Sequence, residues 1–325
     1  GKPSTQTGLC AFLFEANPRH APRLAELEAT YNAAGWRVKV FAPAIVSTST
    51  GEVKELWLNG QADDEHMNWA ASTIPYTGHS ILAPRPAGPA VTGHLVPAPG
   101  PAGPSVEVTP EGGSVEVTTI SLAEVLELSK HAEAGPRMMK MDIEGAEFEV
   151  LKQLLSKRLL CKGIIDLLTI EWHDNFFEQD TPGAHCDECG DVRTKVLNER
   201  PTKTCSPTAF EDFDDESYLT DGQPWPDVSE KAKAMLSTSS GSTAASADMF
   251  KGCSAIFYDV GANIGTHVRK LFEPEKYKKA GYLSRFDKVF GDRAQRGKPS
   301  TQTGLCAFLF EANPRHAHRL AELEA

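Results

Sequence analysis

No apolar run in the 325 residues approaches the roughly 20 that a membrane-spanning helix needs, so no membrane partner is expected. Basic residues are in deficit. There are 33 Lys and Arg against 44 Asp and Glu, a formal net charge of −11. A phosphate backbone calls for a basic surface, so DNA and RNA are disfavoured as partners. Cysteine is too sparse, at seven in the chain, for a disulfide scaffold. The expectation is therefore a reducing setting, cytoplasmic or another reducing intracellular compartment. The opening Gly-Lys-Pro-Ser-Thr-Gln-Thr does not read as a signal peptide. What remains, 40% hydrophobic and 24% charged residues, is ordinary globular composition, with room for one large α/β domain or two small ones.

The most informative stretch runs from Cys253 to His267. An apolar run, Ala255 to Tyr258, meets Asp259, a glycine turn from Gly261 to Gly265, and then a helical stretch, Thr266 to Phe272. Strand, glycine turn and helix in that order open a parallel α/β sheet that binds a nucleotide-like ligand. Glycine permits positive φ and close approach of a ligand to the backbone. Asn263 stands where a dinucleotide fold would carry its second glycine, which argues against pyrophosphate and NAD. Asp259-Val-Gly-Ala-Asn-Ile-Gly265 resembles motif I of S-adenosylmethionine-dependent methyltransferases.

Residues 1–29 and 297–325 are the same sequence apart from Pro22 against His318. A tandem array or a circularly permuted gene would account for this. In unpermuted order Asp259 to Gly265 comes first, Leu305 to Pro314 next, and Thr30 to Trp225 afterwards. One sheet position then has two candidate strands, Leu9–Phe14 and Leu305–Phe310. The first runs on without a break into the helix that ends near Gly35, so it is expected to fill the position. Residues 297–325 would be left surplus, or would mediate self-association by swapping.

Along the chain, Leu9 to Phe14 reads as a buried strand. A helix follows from Pro18 with Asn17 as its cap, and Gly35 closes it. Arg37 to Val46 reads as one strand, and Glu52 to Leu58 as an added antiparallel one. The Pro/Gly-rich segment 78–113 reads as a long loop over the acceptor site. Ser114 to Thr119 is a strand, and Ser121 with Glu124 caps the next helix. Met138–Met141 and Ile164–Ile170 are further strands, separated by a helix carrying Phe148, Leu151, Leu154 and Leu155 on one face. Residues 175–230 read as an acidic insertion of loops, and 237–247 as a flexible linker within a single domain, 1–325.

Ligands of open α/β sheets sit at the carboxyl ends of the strands. That rule gathers Asp259, Gly261, Ala262, Asn263, Gly265, Glu15 or its duplicate Glu311, Ala44, Ile45, Asp142, Glu144, Glu171 and His173 on one edge. Each has a plainer alternative. The plainer role of Asp259 is to brace the turn, that of Glu144 to favour a helix N-terminus, and that of His173 to be a satisfied polar residue at a strand end. His267 lies on the helix after the turn, with cofactor contact as the functional alternative. Glu147 and Glu149 read as solvated helix residues. His185, Cys186, Cys189 and Cys205 have only partial zinc spacing, so no metal is assigned. Cys10, Cys161, Cys253 and Cys306 fit small buried apolar positions.

Phe14-Glu-Ala-Asn-Pro18, Val117-Thr-Thr-Ile-Ser-Leu122 and Met139-Lys-Met-Asp-Ile-Glu-Gly-Ala-Glu147, with motif I, resemble the FkbM-type methyltransferases. The resemblance implies a Rossmann-like methyltransferase fold, doubly wound with a mostly parallel sheet and here circularly permuted. It also implies methyl transfer from S-adenosylmethionine to a hydroxyl oxygen of a small molecule or glycan. The Gly261–Gly265 backbone, including Ala262, would cradle the methionine part, and Glu15 or Glu311 the ribose. A hydroxyl acceptor must lose a proton, and Asp142, Glu144, Glu171 and His173 are the candidate bases. A non-catalytic cofactor-binding or scaffold unit of a tandem array is the alternative.

Overall fold

Short apolar runs bounded by turn residues become the strands of a seven-stranded sheet in a computed structural model of the chain. The structure describes residues 8–41, 43–58, 71–72, 114–173, 189–198, 205–213, 227–238, 245–291 and 306–311. The strands are β1 (Gly8–Glu15), β2 (Arg37–Phe41), β3 (Ile45–Ser47), β4 (Val53–Leu58), β5 (Ala71–Ser72), β6 (Ser114–Ser121), β7 (Arg137–Met141), β8 (Leu167–Ile170), β9 (Ala209–Asp212), β10 (Cys253–Val260) and β11 (Cys306–Glu311). The helices are α1 (Ala21–Ala33), α2 (Leu122–Ser129), α3 (Glu147–Ser156), α4 (Cys189–Asn198), α5 (Glu230–Thr238), α6 (Thr266–Phe272) and α7 (Leu283–Phe290). The main sheet runs β1-β2-β11-β10-β7-β8-β9 with further β1–β10 and β1–β11 pairings, all parallel. A second sheet, β3-β6-β4-β5, carries the antiparallel β4 that the sequence leads one to expect.

Strand alternation divides the core in two. Cys10, Phe12 and Phe14 of β1 pack on one face with Ile256, Tyr258 and Val260 of β10, against α2 and α3. Leu9, Ala11 and Leu13 point to the other face, against Leu24, Leu27 and Tyr31 of α1 and Val268 and Leu271 of α6. Each fully buried Leu or Phe contributes about 1.5–3 kcal/mol, so a strand buried on both faces anchors both layers. This is a doubly wound α/β sheet with helices on each side.

Several expectations change. Arg37 to Val46 is not one strand: β2 ends at Phe41, and after Pro43 the chain enters the second sheet, where β3 pairs parallel with β6. Helix α1 starts at Ala21, after a 3-10 turn at Pro18–His20, so Asn17 is not its cap. Ser121 caps α2 as expected, accepting from the Glu124 N–H at 3.4 Å, while Glu124 itself binds the Thr50 hydroxyl. The acidic region contributes α4 and the edge strand β9, paired parallel with β8. Segments 78–113, 239–244 and most of 297–325 lie outside the described residues.

β1 has register partners along β10 from Gly8↔Cys253 to Phe14↔Val260, whereas β11 meets β10 only at Phe257↔Ala307. β1 meets β2 at Cys10 and Ala11, and from Phe12 to Glu15 it pairs with β11. The described part of the second copy therefore lies in the sheet rather than apart from it.

Disulfides join Cys10 to Cys253, across β1 and β10, and Cys161 to Cys205. Cys10, Cys161 and Cys253 are buried, as expected, but bonded. The pairing of Cys205 removes it from any zinc set, and Cys186 lies outside the described residues. Persistent bridges belong to oxidising compartments, which is at odds with the reducing one expected. Among the described residues no helix is long and apolar enough to cross a membrane.

Candidate active site

The glycine turn after β10 is shaped by its neighbours. Gly261 and Gly265 have φ of 80° and 79°, and Asn263 adopts a left-handed φ of 52°. A Cβ on Gly265 would come within 3.1 Å of Leu24 of α1. The two glycines thus make room for the protein's own packing. The carbonyl of Phe14 receives the Ala262 N–H at 2.6 Å and also that of Gly261, which locks the turn to the end of β1.

Glu15 follows Phe14 and completes that lock. One carboxylate oxygen accepts the Asn263 N–H and the other the Asn17 N–H at 2.7 Å, with His20 Nδ1 3.5 Å away. An open cleft lies beside it. Its walls include Glu15, Ala44, Ile45, Asp142, Glu144, Gly261 and Asn263, with Phe14, Val46, Leu56 and Ile143 as the apolar part. Six of the residues assigned from sequence to cofactor binding therefore share one cleft. Ala262, Gly265, Asp259 and His267 do not line it. The side chain of Glu311 lies outside the described residues, and only its register opposite Glu15 is recorded.

Asp259 sits behind the turn, fully buried, with neither carboxylate oxygen hydrogen-bonded among the described residues. Burial pushes its acid up to about 7 despite Lys140, with Asp142 and Glu15 adding to the rise and Lys270 opposing it. His267 is buried as well, with Nδ1 3.9 Å from Asp259 and its ring edge-on to Tyr282. It belongs to the support of the turn, not to the cleft wall.

The four candidate bases meet around His173. Its Nε2 lies 3.7 Å from Asp142 Oδ1, 3.7 Å from Glu144 Oε2 and 3.8 Å from Glu171 Oε1. Asp142 extends β7, Glu171 and His173 extend β8, and the two strands are paired in register, so the sheet itself brings them together. Lys140 donates to Asp142 Oδ2 at 2.9 Å and to the Gly261 carbonyl at 2.6 Å, tying the cluster to the glycine turn. Burial works against the Asp142 carboxylate, but Lys140 and His173 hold it below its ordinary range. Glu144 goes the other way, well above its ordinary range, because burial and the acids Asp142, Glu147 and Glu171 outweigh His173.

Glu147 is the residue that sequence reasoning missed. Instead of being solvated it is fully buried at the start of α3. It accepts the Gly145 N–H at 2.9 Å, the His173 N–H at 2.8 Å and His173 Nδ1 at 3.1 Å. Burial alone would lower the His173 imidazole, but the Glu147 hydrogen bond and the surrounding acids push it up to about 10. The signal available was its place in Asp142-Ile-Glu-Gly-Ala-Glu147, whose turn leads the acid back beneath β8. Glu149, two residues on, is exposed as expected.

The family model described as Methyltransferase FkbM domain matches residues 7–201, more than half of the 325. No curated protein and no solved structure matches the chain.

Proposed function

The chain belongs to the FkbM methyltransferase family, and from that membership we propose that it takes a methyl group from S-adenosylmethionine and places it on a hydroxyl oxygen of a small molecule or glycan. The observation that carries this reading is the cleft at the carboxyl ends of β1, β7 and β10, where Glu15, Asn263 and Asp142 face one space. The residues present suit the cofactor. Glu15 offers lone pairs to a ribose diol beyond the two that its backbone donors use. The turn at Gly261 and Asn263 gives a side-chain-poor wall, and Ala44 and Ile45 give an apolar one for a base. Bound there, the cofactor supplies an activated methyl on a sulfonium.

The protein's own part is positioning and proton removal. Asp142 and Glu144 stand both on the cleft wall and in the His173 cluster, so a hydroxyl entering the cleft meets acceptors. Glu147 and Lys140 hold that cluster in place. The match to residues 7–201 stops short of Asp259, which agrees with a permuted order in which the motif I strand follows the rest of the fold. Calorimetry with S-adenosylhomocysteine and with NAD tests the cofactor, and transfer of labelled methyl to a panel of hydroxylated acceptors tests the reaction. Binding of NAD with no binding of S-adenosylhomocysteine would overturn the reading. Labelled product on nitrogen acceptors alone would overturn the O-methylation part.

A further inference from the structure

We propose that Asp142, Glu171 and His173 form a divalent-cation site at the edge of the cleft. Three donor atoms, one from each residue, lie within 4.8 Å of one another. The set is mixed, with one imidazole nitrogen and two carboxylate oxygens; the oxygens suit Mn²⁺ and the imidazole also suits Zn²⁺ or Fe²⁺, so Mn²⁺ is the probe ion.

Orientation supports the assignment. The Nε2 of His173 stands 3.7 Å from Asp142 Oδ1 and 3.8 Å from Glu171 Oε1, beyond hydrogen-bond reach of either. Two ligands each about 2.1 Å from one ion are about 3 Å apart at a right angle and about 4.2 Å apart when opposite, and the observed spans fall between these limits. The outward atoms are held by other groups. Nδ1 is bound to the buried Glu147 at 3.1 Å, and the second oxygen of Asp142 takes the Lys140 ammonium at 2.9 Å. Histidine ligands commonly have their far ring nitrogen fixed by a carboxylate; a cation entering here would displace the proton that the surrounding acids otherwise hold on the imidazole. Glu144 Oε2, 3.7 Å from the same Nε2, is placed to join as a further oxygen ligand.

The site also has an open side. Asp142 and Glu144 line the cleft, whereas Glu171 and His173 stand behind them. A cation held here would have coordination positions facing the cleft. On the methyl-transfer reading, on which this role rests, those positions take the acceptor's hydroxyl oxygen. A cation there would stabilise the alkoxide formed as Glu144, the cleft-wall acid outside the three-residue set, takes the hydroxyl proton.

The test uses the full chain stripped with chelator and titrated with Mn²⁺, with free Mn²⁺ followed by electron paramagnetic resonance. Glu171→Gln removes one ligand, and Glu149→Gln removes an exposed acid from α3 as a control. The expected result is one saturable equivalent in the parent and in Glu149→Gln, with affinity weakened by roughly tenfold or more in Glu171→Gln. The variant's thermal melt reports whether it is folded, and His173→Gln supplies a second ligand deletion. Absence of saturable binding in the parent, or equal binding in folded Glu171→Gln and His173→Gln, would overturn the site. Calorimetry with S-adenosylhomocysteine is run on the same preparation. Cofactor binding without Mn²⁺ binding rejects the site alone. Mn²⁺ binding without cofactor binding leaves the site standing and rejects the methyl-donor reading.

Discussion

The backbone carbonyl of Asp142 lies 1.6 Å from where a Cβ on Gly261 would stand. The end of β7 and the glycine turn after β10 are therefore packed backbone to backbone. Gly261→Ala should force them apart at a position whose φ of 80° already disfavours a side chain. Backbone strain of this kind costs about 1–3 kcal/mol before the clash is added. A chemical denaturation series should show the variant less stable by at least that much, with S-adenosylhomocysteine affinity also reduced. A melt equal to the parent's would mean that the turn and β7 are not held together.

Glu147 accepts three N–H groups while fully buried. In Glu147→Gln one carboxylate oxygen becomes an NH₂ group that must face an N–H donor. A buried donor left without an acceptor costs about 1–3 kcal/mol. Urea denaturation should register that loss at neutral pH, where Glu149→Gln should change stability by less than about 0.5 kcal/mol. Equal midpoints for the two variants would return Glu147 to the solvated role its sequence position suggests.

Asp259 gives a pH prediction. Burial raises its folded pKa to about 7, against an ordinary 3.8. Between those values the folded chain keeps a proton that the unfolded chain releases, so stability falls as pH rises from about 4 to about 7 and levels off above. Asp259→Asn has no proton to lose there. Its melting temperature minus the parent's should increase across that window and stay constant beyond it. A difference that is flat from pH 4 to pH 8 would contradict the burial of a neutral acid.

The two copies of the β1 sequence can be separated at the ribose position. Glu15 stands on the cleft wall, and its β1 has the long pairing with β10. Glu15→Gln should weaken S-adenosylhomocysteine binding by about 10–100-fold, the scale of one charged hydrogen bond. Glu311→Gln should leave the affinity unchanged. Titration calorimetry of both variants decides it, and the reverse pattern would make β11 the working copy.

Much of this was legible in the sequence because buried parallel strands write themselves as short, mostly apolar runs. Ala255–Tyr258, Leu9–Phe14 and Met138–Met141 each fell inside an observed strand, and two of the acids at their ends, Glu15 and Asp142, line the cleft. The failures have physical causes. Val38 to Val46 is apolar apart from Lys39 and Pro43, so the sequence gives little sign that the chain changes sheets there. Strand β9, Ala-Phe-Glu-Asp, is too short and too polar for a strand pattern to stand out. Glu147 sits where a charged residue in a first helical turn is ordinarily solvated, and only the fold of β8 over it shows otherwise. The cleft residues contributed by Ala44 and Ile45 were found through strand ends, even though the strand they were assigned to was drawn wrongly.

The bridge between Cys10 and Cys253 has a meaning beyond reinforcement. Cys306 occupies the same place in the second copy as Cys10 does in the first. Both copies lie in one sheet, and among the described residues the first is the one bonded covalently to β10. The bridge fixes that arrangement until a reductant breaks it. In reducing conditions the place of β1 beside β10 would rest on backbone pairing and packing alone.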